Sequence, residues 1–154
     1  MSNLDKISQQ IEEQMKKAFY DLINEQIISG KVDVDWFVNL FCEVRDKLVN
    51  IIKRNEKIKQ NIYNSFDVEL FRQMISNDVF DSESLQKLVN NTFYWIEQLQ
   101  APVRDEETKL SKQQIFSSPK EKIISVYLIE THKSIDNIEK DIDNYYKKTK
   151  QSAP

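Results

Sequence analysis

The chain has 154 residues with a net charge of −3, and it contains a single glycine, three prolines, one cysteine and one histidine. So little glycine excludes folds that spend it on tight turns, bulges and phosphate-binding loops. The acidic balance excludes a global basic field for nucleic acid, and the lone Cys42 excludes an internal disulfide framework. The length suits one core, and charge at 31% beside ample Ile, Leu, Phe and Tyr points to amphipathic helices rather than disorder.

The first predicted helix opens at Ser2 or Asn3 and runs to Ser29, with Leu4, Ile7, Ile11, Met15, Ala18 and Leu22 stepping at three- and four-residue intervals. Gly30 follows where a left-handed residue ends a helix. A second helix is capped by Asp33 or Asp35 and carries Phe37, Leu40, Phe41, Val44, Leu48, Ile51 and Ile52 on its buried face. It either breaks at Lys53-Arg54-Asn55 or continues through Ile58 and Ile62. Asp67 caps a shorter helix holding Val68, Leu70, Phe71, Met74 and Ile75, and Asn77-Asp78 suits its exit.

Asp81 or Ser82 starts the next helix, whose Leu85, Leu88, Val89, Thr92, Ile96 and Leu99 share one side. Pro102 then stops or kinks it, because proline lacks a backbone donor and restricts Ala101. A short helical turn from Pro102 to about Leu110 is expected next, with Ser111 to Ser118 as a loop. The last helix is predicted from Ser118-Pro119-Lys120-Glu121, read as an N-cap, a first-position proline and a capping-box glutamate. It carries Ile124, Tyr127, Leu128, Thr131, Ile135, Ile138, Ile142 and Tyr145, and its length leaves one end to project or meet a partner. The expectation is an all-α, single-domain bundle of about five to seven helices over 1–150 with a long C-terminal helix, and a disordered tail at 151–154.

Several blocks resemble the T-complex protein 11 family. The sharpest is Ala101-Pro102-Val103-Arg104-Asp105-Glu106, preceded by Asp67 to Gln73 and, earlier, by Ala18 to Leu22 and Phe41 to Leu48. Gln100 stands where the family usually has cysteine. The resemblance implies a helical protein with no assigned catalytic activity, associated with cyclic-AMP and protein kinase A signalling. It is to the N-terminal part of larger relatives.

Read physically, Pro102 places Asp105, Glu106 and Glu107 in a first helical turn, and Arg104 can reach Glu107, Thr108 or a distant carboxylate. Pro102, Val103, Arg104, Asp105 and Glu106 are therefore either a fastened kink or a partner contact. Neighbouring residues on a helix differ by about 100°, so Phe93, Tyr94 and Trp95 cannot all face one side. Trp36, Tyr94 and Trp95 are the candidate exposed aromatic anchors, since interface hot spots favour Trp and Tyr.

His132 and Asp136 have the spacing of two metal ligands but lack a third in sequence, and read as a surface pair. Cys42 reads as a small core hydrophobe without a basic partner. Paired carboxylates such as Glu12/Glu13 and Asp141/Asp143 read as solvated faces. No phosphate loop, nucleophile triad or paired zinc spacing occurs, so an enzyme, a metal or a cofactor is not expected.

The leading reading is a noncatalytic module, cytosolic or nuclear, that binds another protein or a second copy of itself. No run of residues is apolar enough for a transmembrane segment. The alternative is electrostatic binding to nucleic acid or membrane through Lys53-Arg54-Lys57-Lys59 or Lys147-Lys148-Lys150, with nucleic acid disfavoured by the acidic total.

Overall fold

A computed structural model describes residues 2–78 and 80–149. The expected tail at 151–154 lies outside these residues. Among the described residues seven α-helices follow one another: α1 Asn3–Ser29, α2 Val34–Ile51, α3 Glu56–Ser65, α4 Val68–Ser76, α5 Ser82–Leu99, α6 Asp105–Phe116 and α7 Ile123–Thr149. Short 3-10 turns at Pro102–Arg104 and Lys120–Lys122 lead into α6 and α7. No strand occurs among the described residues.

Side-chain caps set most of these boundaries. The hydroxyl of Ser2 accepts from the Asp5 N–H at 3.1 Å, and the Asp5 carboxylate accepts in return from the Ser2 N–H. Asp33, Asn55, Asp67 and Asp81 each accept from the backbone N–H three residues on. Gly30 sits at φ 72°, a left-handed position that a side chain would strain. The helix-then-break alternative at residues 52–55 is the one adopted, with Asn55 capping α3.

Helices α2 and α7 form the centre. α2 packs on α3, α4, α5 and α7, while α7 packs on α1, α2, α5 and α6. Phe41 lies in the middle, stacked on Phe71 with ring centroids 4.4 Å apart, and with Phe66 and Tyr127 beside it. The hydroxyl of Tyr127, fully enclosed, lies 2.8 Å from that of Thr92, which donates to the Leu88 carbonyl at 3.0 Å. That leaves the Tyr127 O–H as donor to Thr92, so this polar chain within the apolar centre is complete.

Two expectations between residues 111 and 123 are corrected. The segment expected as a loop, Ser111 to Ser118, is mostly helix, since α6 runs to Phe116. Its buried face is Thr108, Ser111 and Ile115, at helical spacing but mostly small hydroxyl residues, so hydrophobic periodicity under-reports it. The capping box expected at Ser118 does not form either. The Ser118 hydroxyl instead donates to the Gln114 carbonyl at 2.7 Å, closing α6, and Pro119 is extended ahead of a 3-10 turn. The α-helical part of the last element therefore begins at Ile123.

Candidate functional site

The hexapeptide after α5 acts as a clasp. α5 ends at Leu99, and Pro102 opens a 3-10 turn that aims Arg104 at α7. The guanidinium grips Asp141 with two bonds of 2.8 and 3.0 Å and reaches Glu107 at 3.1 Å. Arg104 and Asp141 are both under a third exposed, so this pair ties the start of α6 to the far part of α7. Arg104 depresses the Asp141 carboxyl below the usual range through its hydrogen bonds and charge.

Gln100, the residue in the cysteine position, completes the local network. Its amide donates to Asp105 at 2.9 Å and its carbonyl accepts from Thr108 at 2.7 Å. Pro102, Val103 and Glu106 face outward, Val103 being 82% exposed. Asp105 and Glu106 also line an open groove of about 590 Å³ between α5 and α6, with Phe116 at its rim.

The three aromatics are placed differently from one another. Tyr94 stands out from α5, 48% exposed, against the ring of Trp95. Trp95 is half-buried and its indole N–H donates to Ser65 at 2.9 Å, anchoring α5 to α3. Trp36 is also half-buried, edge-on to Phe19 and Phe37 where α1 crosses α2. The structure does not bring these three residues into one patch with the hexapeptide.

His132 and Asp136 lie on α7 facing a cleft of about 520 Å³ that Lys16 and Tyr20 of α1 and Lys47 of α2 also line. Lys47 donates to Nδ1 of His132 at 3.2 Å, which makes Nε2 the protonated nitrogen, and it lies 3.9 Å from Asp136. Burial, then Lys47, lowers the imidazole's pKa, partly offset by Asp136. Burial, then Asp136, raises the Tyr20 phenol. Among the described residues no three His, Cys, Asp or Glu side chains converge to hold a metal, and no helix is long and apolar enough to cross a membrane. Cys42 is a half-buried free thiol packed on the core.

The surface that periodicity did not reveal as exposed is the first half of α1. Every residue from Ser2 to Ala18 is exposed, and the body begins to cover the helix only at Phe19. Leu4, Ile7, Ile11, Met15 and Leu22 are 77, 51, 50, 67 and 46% exposed along one stripe. At 1.5 Å per residue the uncovered part is about 24 Å long. The signal that could have found it was the spread of charge around the stripe, with Asp5, Lys6, Glu12, Glu13, Lys16 and Lys17 but no second apolar face to bind α1 into the bundle.

Comparison with known proteins bears on the whole chain. No curated protein and no solved structure matches it. The family model described as T-complex protein 11 matches residues 1–146, a span that takes in the α1 stripe, the Arg104 clasp and nearly all of α7, and the chain belongs to that family.

Proposed function

We propose that the chain is a noncatalytic interaction module that engages another protein through the apolar stripe of α1. The observation that carries this reading is the exposure of Leu4, Ile7, Ile11 and Met15 on a helix whose first half, among the described residues, is exposed throughout. An isolated helix of that length is marginal in water, so a covering surface supplies stability that its own sequence does not. The partner chemistry that fits is an amphipathic helix or apolar groove, which would read anchors at three- and four-residue steps. Asp5, Lys6, Glu12, Glu13, Lys16 and Lys17 rim the strip with both signs of charge and favour a partner of mixed charge. Val103, Glu106 and Tyr94 are further exposed groups for contact, whereas Arg104 is occupied by the clasp.

Family membership supports looking for the partner in cyclic-AMP and protein kinase A signalling. The test is affinity capture with the wild-type chain and with the double variant I7D/I11D, read first for protein kinase A subunits. Retention of a defined protein by the wild type, lost in the variant while circular dichroism and Tm stay unchanged, is the expected result. Equal retention by both removes the stripe from the reading. Dimer mass by light scattering, abolished by I7D/I11D, assigns the stripe to a second copy instead.

A further inference from the structure

The cleft between α1, α2 and α7 has an electrostatic character opposite to that of the chain. Its lining contains four lysines, Lys16, Lys47, Lys133 and Lys140, against one carboxylate, Asp136, in a protein of net charge −3. Lys133 is engaged by Glu130 at 3.2 Å, and Lys47 meets Asp136 only at 3.9 Å. Lys16 and Lys140 have no carboxylate within salt-bridge distance among the described residues. Lys47 also places its ammonium beside the half-buried imidazole of His132. Like charges gathered this way repel one another, and an anion between them removes that cost.

We propose that this cleft binds a compact, multiply phosphorylated small molecule, either free or as the headgroup of a lipid. Ammonium groups are point charges with three donors each, suited to phosphate oxygens approached from several sides. The lysines come from three helices and surround a volume of about 520 Å³, within the usual range for small-molecule sites. Four lysines gathered around one cleft do not form the extended stripe that tracks a nucleic-acid backbone. The cleft shares Lys16 with the rim of the α1 stripe, and the proposal rests on a separate observation, the lysines of three helices that line one cleft.

The experiment follows the imidazole of His132 by NMR, unambiguous because it is the sole histidine. Inositol hexakisphosphate is the soluble probe. Phosphatidylcholine vesicles with and without phosphatidylinositol bisphosphate are the membrane arm. A saturable shift of the His132 resonance is expected, with the imidazole titrating at higher pH when the probe is bound. The K16Q/K140Q variant is expected to weaken binding by about tenfold or more, on the order of one charge-assisted hydrogen bond. The K53Q/R54Q variant, altering exposed cations outside the cleft, is expected to bind as wild type. Binding of the soluble probe assigns a free ligand, and binding only to the phosphoinositide vesicles, lost in K16Q/K140Q, assigns a lipid headgroup. Absence of any His132 response in both arms overturns the proposal, as does equal weakening by K16Q/K140Q and K53Q/R54Q.

Discussion

α1 and α2 carry the same kind of pattern and meet opposite fates. Both place large apolar residues at three- and four-residue steps, yet Phe37, Phe41, Val44 and Leu48 of α2 are buried while Leu4, Ile7, Ile11 and Met15 of α1 stand in water. The difference lies in what else each helix offers. α2 adds Val38 and Leu40 to its buried set and so meets neighbours on more than one side. The first half of α1 has a single stripe, and the body covers α1 only from Phe19, where Ile23 and Ile27 seat it. Spacing specifies a helix and a face, but whether that face finds cover depends on the rest of the chain.

The largest expected effect breaks the buried side of this comparison. Phe41→Ala removes the ring stacked on Phe71 and leaves a cavity beside Tyr127, at a cost of about 3–5 kcal/mol in chemical denaturation. Thr92→Val comes next. It keeps the shape of the side chain but strands the enclosed Tyr127 hydroxyl, and is expected to cost about 1–3 kcal/mol. Adding Tyr127→Phe to Thr92→Val recovers part of that loss, because the unpaired donor is gone, and a double-mutant cycle reads the coupling.

The clasp gives a smaller effect with a defined pH dependence. Arg104 holds the Asp141 carboxyl below its unfolded value near 4. Its contribution is therefore complete above that pH and is lost as the pH falls through the lower folded value. Asp141→Asn lowers Tm at neutral pH and flattens this part of the acid-unfolding profile relative to wild type. An Asp141→Asn profile with the wild-type slope below pH ~4 removes the assigned role of the pair. The smallest effect belongs to the uncovered stripe: Ile11→Ala shifts stability by less than about 0.5 kcal/mol, as expected of a surface position.

Much of the architecture was legible from short-range chemistry. Asp33, Asp67 and Asp81 cap where carboxylates precede apolar runs, Gly30 ends α1, and Pro102 ends α5. Legibility failed where the relevant group was small or distant. The second half of α6, from Ser111 to Phe116, was hidden because two of the helix's three buried residues are Thr108 and Ser111. Ser118 has the right residue type for a cap, but its hydroxyl closes the preceding helix instead. The pairing of Arg104 with Asp141 spans 37 positions, and chain order alone left several carboxylates as candidates. The cationic cleft draws Lys16, Lys47, Lys133 and Lys140 from three helices, whereas the lysine runs visible in sequence lie elsewhere.

Amide hydrogen exchange across α1, at a dilution where light scattering gives one chain, tests the contrast with α2 most directly. Fast exchange through residues 6–17, with strong protection from about Ile23 onward and through α2, is the predicted outcome. Protection of residues 6–17 equal to that of α2 would show that the chain itself covers the stripe, and would contradict the account.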